Sequence, residues 1–234
     1  MCKKIKNCFE PAIRFEKLIS AHKRARKHKG YKKEVLEFEL NLENNIVNLM
    51  NHIRNGAYRL GEYRQFKVYE PKERVIEALP YIDRIVHQWY VEEFIKPYIV
   101  PKFIYQSYAC LSNKGTHKAV EQVEKYLRKM QSHNPNYWIL KCDIKKFFYN
   151  INSKKLFQIM QKYFSDPAFL QFTKILIFSN RKNSQYVGIP IGNYTSQFYA
   201  NIYLNELDQY IKRELKVKYY VRYMDDCAPR MYNK

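Results

Sequence analysis

Apolar side chains recur at intervals of three and four residues over much of the chain. This spacing predicts helices over about residues 11–29, 32–54, 81–95 and 200–215, because it places the apolar residues on one helical face. A further helix is predicted to begin at Ser153, whose hydroxyl can cap it. The pattern therefore predicts a chain with several amphipathic helices.

Other segments alternate or are rich in β-branched and aromatic residues, which predicts strands. Residues 64–69 alternate, and residues 74–76 can return as the partner strand of a short hairpin with Lys and Arg near its tip. Residues 138–144 have the pattern of a mostly buried strand, and residues 219–224 are strongly β-prone. Residues 188–192, which begin and end with glycine, are predicted to form a loop.

The charge balance indicates the kind of partner. The chain has 42 Lys and Arg residues against 22 Asp and Glu, a formal net charge of +20. Such a surplus favours a polyanion, because phosphates neutralised by a protein release condensed counterions. An anionic membrane surface would meet the same electrostatic need, but no uninterrupted apolar run is long enough to span a bilayer. The basic end of the first helix could grip a nucleic-acid backbone or form a solvated face.

Composition and cysteine usage narrow the class of protein further. Hydrophobic residues make up 46% of the sequence, which excludes a disordered chain. The five cysteines are dispersed, with no C-x-x-C pair and no histidine at zinc-ligand spacing. No apolar segment follows the charged N-terminus, so no secretory signal is predicted. These features together indicate a reducing, cytoplasmic location.

Three aspartates lie near the ends of two predicted strands. Asp143 is near the end of one strand, and Asp225 and Asp226 end the other. If the strands lie side by side, two divalent ions at their acidic tips could activate a primer hydroxyl and stabilise the leaving pyrophosphate. Magnesium suits this role because it needs few carboxylates and keeps sites for water and substrate phosphates. Alternatively, each aspartate merely ends a strand and turns the chain.

Several segments resemble the motifs of reverse transcriptases and stand in the order of that family. Residues 221–226 (Val-Arg-Tyr-Met-Asp-Asp) resemble the Y-x-D-D box. Residues 141–148 resemble the first catalytic box, an aspartate followed by paired aromatics. Residues 72–84, 107–117 and 188–208 resemble the fingers motifs, the template-side box and the loop-and-helix box.

The resemblance implies an α+β fold with the fingers and palm of a right-hand polymerase, in which helices back an antiparallel palm sheet. Residues 1–133 are expected to form basic N-terminal helices and fingers, and residues 134–234 an incomplete palm. The implied activity is RNA-directed DNA synthesis with two Mg²⁺ ions, or with Mn²⁺ in vitro. The implied partners are an RNA template, a DNA or RNA primer and deoxynucleoside triphosphates, without a membrane.

Matching positions imply the residues of the reaction centre. Asp143 and Asp225 would be the principal metal ligands and catalytic residues, with Asp226 beside them. The backbone carbonyl of Ile144 would be a further metal ligand next to the nucleotide. Phe148 would lie beneath the incoming sugar and exclude a 2′-hydroxyl, although a Phe is more commonly a core aromatic.

The resemblance also implies contacts to the triphosphate and to the primer. Lys72 and Arg74 would bind the triphosphate, Arg74 through its forked donors. Alternatively, both are ordinary charges on an exposed hairpin. Tyr223 would lie near the primer terminus, or would simply pack within its strand.

The loop-and-helix box departs from the common Pro-Gln-Gly and Ser-Pro forms of the family. Ile191 replaces the glutamine that lies against the incoming base pair, and Gln197 follows Ser196. An apolar branched side chain cannot make the polar contacts of glutamine, so pairing geometry could be checked less strictly. The form resembles reverse transcriptases of diversity-generating retroelements, which copy template adenines with errors. This likeness places both residues at the nucleotide and implies a small basic helical accessory protein as partner.

Beyond Asp226 the sequence departs from the family, which continues with an apolar returning strand, a primer grip and a helical thumb. Pro229 cannot donate a backbone hydrogen bond, so it is a poor residue for an interior returning strand. A truncated chain without a thumb is therefore expected. Two other interpretations stay open: a catalytically silent nucleic-acid-binding remnant, and a retron or phage-defence type of reverse transcriptase.

Overall fold

The computed structural model describes residues 3–69, 73–132, 138–179 and 186–231. The chain divides into two compact units. The first unit comprises Met1–Pro101 and Phe148–Ser196, and the second comprises Lys102–Phe147 and Gln197–Lys234.

Helices dominate the described residues. In chain order they are α1 (Phe15–Arg26), α2 (Lys33–Glu39), α3 (Leu42–Arg54), α4 (Tyr81–Tyr90), α5 (Lys96–Tyr98), α6 (Thr116–Gln131), α7 (Phe147–Asn150), α8 (Ser153–Tyr163), α9 (Pro167–Ile177) and α10 (Tyr194–Gln209). The strands are β1 (Arg64–Val68), β2 (Arg74–Ala78), β3 (Trp138–Ile139), β4 (Tyr220–Tyr223) and β5 (Asp226–Met231). None of the described helices is both long and apolar enough to cross a membrane.

The helices that the apolar spacing predicts are largely confirmed, with two corrections. The single helix predicted over residues 32–54 is two helices, because the chain leaves the helical conformation at Asn41, where φ is −136° and ψ is 49°. Asn41 precedes α3, and its side-chain oxygen accepts from the Asn44 side-chain amide at 2.8 Å instead of capping a backbone N–H. Ser153 does not cap α8, since the preceding Asn152 accepts the Lys155 N–H at 3.0 Å. The Ser153 hydroxyl instead donates to the Gly188 carbonyl.

Aromatic side chains form much of the core of the first unit. The ring of Trp89, in α4, is fully buried and lies 5.3–5.9 Å from the rings of Phe9, Phe94 and Phe172. Its indole N–H donates to the Ala12 carbonyl at 2.9 Å. Edge-to-face aromatic pairs of this kind stabilise beyond their burial by about 1 kcal/mol each. The cluster therefore anchors α4 to α9 and to the N-terminal segment.

The predicted hairpin of the first unit is confirmed. β1 and β2 pair antiparallel, with Arg64 opposite Ala78 and Val68 opposite Arg74. The side chains of β1 are exposed along its whole length. The Glu77 N–H donates to the Ile191 carbonyl at 2.9 Å. This bond fixes the base of the hairpin to residues 188–192, the glycine-flanked loop.

The sheet of the second unit has the strand order β3-β5-β4, and both pairings are antiparallel. The expectation that Pro229 is a poor residue for an interior returning strand is wrong, because β5 contains Pro229 and is the central strand. The physical reason lies in the ladder to β3. Its register, which pairs Trp138 with Met231 and Cys142 with Cys227, puts Leu140 opposite Pro229, and Leu140 is outside the ladder. The missing proline N–H therefore falls at a gap in the pairing.

The strand predicted over residues 138–144 is shorter and more exposed than expected. Only Trp138 and Ile139 are paired as a strand, and their side chains are 64% and 49% exposed. β3 is an edge strand of the described sheet, so its apolar run does not signal burial. Beyond β3, the backbone of Cys142 pairs with that of Cys227 in β5, and Asp143 is the next residue.

Candidate active site

A tight turn between β4 and β5 carries two of the aspartates. Tyr223 pairs with Asp226, so the connecting loop consists of Met224 and Asp225. Met224 has a φ of 55°, in the left-handed region that non-glycine residues rarely adopt. Such a conformation costs about 1–2 kcal/mol. The surrounding structure must therefore hold this loop in place.

Asp143 lies beside this turn. The backbones of Cys142 and Cys227 exchange N–H to carbonyl hydrogen bonds of 2.8 and 2.9 Å. Continued by one residue, this antiparallel register places Asp143 opposite Asp226, and Cα atoms of such pairs are about 4.5 Å apart. Asp226 thus lies between Asp143 and Tyr223, and side chains opposite each other share one face of the sheet.

The carboxylates have the donor chemistry of a magnesium site. Asp143 and Asp226 are exposed, and Asp225 is partly buried. Carboxylate oxygens are the ligands that Mg²⁺ takes, and like charges directly opposite each other are destabilising unless a cation neutralises them. The partly buried Ile144 follows Asp143 and can add its carbonyl. Within the described ranges, no three His, Cys, Asp or Glu side chains form a group that could hold an ion by themselves. Substrate oxygens or changed rotamers would be needed to complete the coordination shell.

A buried arginine lies directly behind the turn. Arg222, in β4, is 1% exposed. Its Nε and Nη2 atoms donate to the two carboxylate oxygens of Asp208 in α10, at 2.8 and 2.6 Å. The Tyr220 hydroxyl donates to the same carboxylate at 2.7 Å. Burial, followed by the Asp208 charge, raises the pKa of Tyr220, so this phenol stays protonated and remains a donor.

The remaining donors of Arg222 reach the turn and two further segments of the second unit. Nη1 donates to the Met224 carbonyl at 2.8 Å and to the Asn201 side-chain oxygen at 2.9 Å. Nη2 also donates to the Ser107 hydroxyl at 3.0 Å. Arg222 therefore holds the strained Met224 through its carbonyl and links the aspartate turn to α10.

The sequence motifs did not predict this buried network. Ser107, Asn201, Asp208 and Arg222 all lie in segments that resemble family motifs. A usable signal was available, because an arginine inside an apolar β-prone run needs a charged partner if it is buried. Asp208 is the carboxylate that meets this need.

The other predicted residues of the second unit are accessible. Tyr223 is 39% exposed, at the end of β4 and on the face that Asp226 shares. Gln197 is exposed in the first part of α10. The structure therefore places the three aspartates, Ile144 and Tyr223 together at one end of the sheet.

A cleft of about 260 Å³ lies in the first unit, between the β1–β2 hairpin and the glycine-flanked loop. Its lining residues are Gln65, Val75, Glu77, Tyr149, Val187, Gly188, Ile189 and Ile191. The Ile191 side chain is partly buried. Ile191, which the sequence predicts to lie at the nucleotide, thus lines this cleft.

A backbone hydrogen bond to α7 holds the glycine-flanked loop beside this cleft. The Ile189 N–H donates to the carbonyl of Phe148, in α7, at 2.9 Å. Phe148 itself is partly buried. Arg74 begins β2, but its side chain is outside the part of the chain that the structure describes. Lys72 also lies outside the described residues.

The end of the loop is fixed by buried polar contacts. Asn193 donates to the Tyr63 hydroxyl at 2.8 Å. His87, in α4, lies with Nδ1 2.7 Å from the Thr195 hydroxyl, while its Nε2 is buried with no hydrogen-bond partner among the described residues. Burial lowers the pKa of His87 to about 3, so this imidazole is neutral at physiological pH.

Comparison with known proteins identifies the family of the chain. The sequence matches the family of reverse transcriptases (RNA-dependent DNA polymerases) over residues 67–229. A Saccharomyces cerevisiae protein named putative COX1/OXI3 intron 2 protein is 25% identical over 163 residues, which cover 67% of this chain and 17% of that protein.

Two solved structures, a partial Cas6-RT-Cas1–Cas2 complex and a Cas6-RT-Cas1–Cas2 complex, contain chains that resemble this one in fold, each with a TM-score of 0.55 and 17% identity. The similarity covers 96% of this chain and 38% and 24% of theirs. This chain therefore spans well under half the length of these relatives. Since the family match covers more than half of the sequence, the chain belongs to the reverse transcriptase family.

Proposed function

We propose that this chain carries the nucleotidyl-transfer site of an RNA-directed DNA polymerase. The observation that carries the proposal is the register that places Asp143 opposite Asp226, with Asp225 in the adjoining loop. In a chain with a net charge of +20, exposed carboxylates set against each other are best explained by a cation that neutralises them.

In this proposal the aspartates and the Ile144 carbonyl would hold two Mg²⁺ ions. Ions bound there would supply Lewis-acid activation of the primer 3′-hydroxyl and charge stabilisation of the leaving pyrophosphate. The sheet register sets the distance between Asp143 and Asp226, and the bond from Arg222 to the Met224 carbonyl fixes the loop that bears Asp225. Such positioning matters, because a misplacement of about 1 Å can lower a rate about 100-fold.

Other residues bind the substrates. Tyr223 lies beside the primer terminus, and Phe148 excludes the 2′-hydroxyl of ribonucleotides by its bulk. Lys72 and Arg74 bind the triphosphate, where guanidinium forks match phosphate oxygens. The surplus of basic residues supports binding of an RNA template and a DNA or RNA primer through counterion release.

The enzyme is of the error-prone type found in diversity-generating retroelements. Ile191 lines the first-unit cleft with an apolar side chain, where the common family pattern has a glutamine that can hydrogen-bond to the base pair. Gln197, exposed on α10, is a further nucleotide-binding residue in this proposal. A small basic helical accessory protein is a further partner under this proposal.

Primer extension on an RNA template tests the proposal. Labelled deoxynucleotides and Mg²⁺ are supplied to the chain, to the Asp225→Ala/Asp226→Ala variant, and to a version extended with the thumb of a related enzyme. Incorporation that is lost in the double variant is the expected result. A Glu16→Gln/Glu43→Gln chain, which changes exposed carboxylates of α1 and α3, controls for the loss of two negative charges.

The remaining outcomes are also informative. Activity in the extended version alone would mean that the site is intact but that the chain needs a thumb to hold primer and template. No incorporation in any version, with RNA binding retained, would contradict the proposal and favour a silent nucleic-acid-binding remnant. Sequencing of the product tests the subgroup, since errors should concentrate opposite template adenines.

A further inference from the structure

Two free thiols lie directly behind the aspartate pair of the second unit. Cys142 and Cys227 are opposite each other on antiparallel strands, and both are partly buried rather than enclosed. Because successive side chains of a strand point to opposite faces, the two thiols share the face opposite to that of Asp143 and Asp226. The thiol pair is thus one residue away from both aspartates.

The spacing of the pair suits a covalent bond between the sulfur atoms. The two backbones exchange hydrogen bonds of 2.8 and 2.9 Å, and Cα atoms in such pairs are about 5.5 Å apart. Disulfides span Cα separations of about 4.4–6.8 Å. Burial, followed by the neighbouring Cys142 thiol, raises the pKa of Cys227 to about 11, so the two thiols are close enough to interact and Cys227 is protonated at neutral pH. Exchange at this thiol is therefore slow.

Closing that bond would deform the sheet locally. Cβ atoms of a hydrogen-bonded pair are about 5.5 Å apart, whereas a disulfide needs about 3.8 Å. The strands must therefore tilt or move together at the step next to Asp143 and Asp226. Strained disulfides of this kind are the easily reduced ones that serve regulation.

We propose that Cys142 and Cys227 form a redox-modification site, whose reversible disulfide displaces the aspartate pair and stops nucleotide transfer. The effect on catalysis rests on the proposed polymerase function, whereas the bond itself does not. The oxidant is a low-molecular-weight disulfide. One cysteine sulfur attacks it and releases one thiol, and the second cysteine then displaces the other. Two electrons pass to the oxidant, and the two cysteine protons end on the two released thiols.

Peptide mapping after treatment with oxidised glutathione tests the bond. The expected product is a peptide with Cys142 linked to one with Cys227, found without reduction and lost after dithiothreitol. Cys142→Ser and Cys227→Ser chains should lack it, and Cys110→Ser, which removes an exposed thiol outside the pair, should retain it. If the cross-linked peptide is absent and these two positions carry mixed disulfides with glutathione or stay unmodified, the proposal is overturned.

Calorimetric titration with Mn²⁺ and primer extension measure the consequence. The oxidised chain should bind Mn²⁺ more weakly and extend primers roughly 100-fold more slowly, since a displacement of about 1 Å costs that much. Both effects should reverse with dithiothreitol and be absent in Cys142→Ser. If oxidation leaves the Mn²⁺ affinity unchanged, the disulfide does not displace the aspartate pair and the proposed effect on the site is overturned. A reduced chain that binds Mn²⁺ but extends no primer, with or without the added thumb, would refute the polymerase function alone, because mapping and Mn²⁺ affinity still decide about the thiol pair.

Discussion

Arg222 and Asp208 form a two-pronged ion pair in the interior of the second unit, with donor–acceptor distances of 2.8 and 2.6 Å. Their side chains are 1% and 0% exposed. A buried pair with its remaining groups hydrogen-bonded offsets its desolvation, but removal of one partner leaves an uncompensated charge. The same arginine bonds the Met224 carbonyl, so the pair couples α10 to the aspartate turn.

Replacement of Arg222 by methionine is expected to lower the free energy of unfolding by roughly 3–5 kcal/mol, because Asp208 is then left buried without its partner. Urea unfolding followed by circular dichroism measures the loss. The double variant Arg222→Met/Asp208→Leu should lose less than the single variant. A double variant that is less stable than Arg222→Met would contradict the argument that the stranded charge dominates.

A second prediction concerns the facing aspartates. Asp226→Asn should raise the free energy of unfolding by a few tenths of a kcal/mol in the absence of divalent ions, because it removes a like charge opposite Asp143. It should also reduce the stabilisation that Mg²⁺ confers, since a ligand stabilises the folded state that binds it. Thermal unfolding with and without Mg²⁺ measures both effects, and Glu43→Gln is the matched control. If Mg²⁺ stabilises all three chains equally, Asp226 is not a ligand.

The elements that sequence predicted well are those whose signal is local. The periodic helices and the β1–β2 hairpin depend on residues close in the chain, and both appear as expected apart from the break at Asn41. The position of β5 depends on pairing with distant segments. Pro229 disfavours an interior strand when the local sequence alone is considered. The pairing register, however, places Pro229 opposite Leu140, which lies outside the ladder, so its missing N–H breaks no pairing there. An apolar run such as Trp138–Ile139 likewise has the same sequence pattern in a core strand and in an exposed edge strand.

In the candidate site, too, the features with a local sequence signal could be predicted and those that depend on distant residues could not. The three aspartates could be singled out because their motifs are contiguous in sequence. The need of Arg222 for a charged partner could be inferred from its β-prone run, but the identity of its partners could not, since Ser107, Asn201 and Asp208 come from two other segments and meet only in the folded unit. Long-range polar contacts of this kind leave little trace in a single sequence.

A third prediction concerns the loop beside the first-unit cleft. Gly192 has a φ of 124°, and a Cβ there would lie 2.9 Å from the Glu77 carbonyl oxygen and 3.1 Å from the Ile76 side chain. Gly192→Ala should therefore cost roughly 2–5 kcal/mol from backbone strain and overpacking together. Gly56→Ala is the matched control, with a φ of 66° and nothing within 4 Å of the added carbon, so it should cost about 1–2 kcal/mol. Equal losses in urea unfolding would show that the contact with β2 is unimportant.

A fourth prediction concerns copying errors. Ile191→Gln should lower misincorporation opposite template adenines, because glutamine restores polar contacts to the base pair that isoleucine cannot make. Sequencing of primer-extension products measures the error spectrum. Val187→Gln is the control, since it places the same side chain elsewhere in the cleft. An error spectrum that is identical in Ile191→Gln and the parent chain would refute this role for Ile191.

A last prediction concerns His87 and acid. Its pKa is about 3 in the folded chain, below the ordinary value of 6.5, because burial disfavours the charged ring. Between these two values the unfolded chain binds more protons than the folded one, so stability is lost as the pH falls through this window. Between pH 7.5 and pH 5 the loss due to His87 should be roughly 2 kcal/mol.

Urea unfolding at the two pH values, on His87→Gln and the parent chain, isolates this contribution. The variant should lose less stability on acidification, whatever its stability at pH 7.5, because it has no imidazole to protonate on unfolding. The raised pKa of Asp83 acts in the opposite direction, but it is common to both chains and cancels in the comparison. The exposed His52, replaced by Gln, should leave the parent's loss nearly unchanged. If His87→Gln and His52→Gln lose as much stability as the parent chain, His87 is not held neutral by burial.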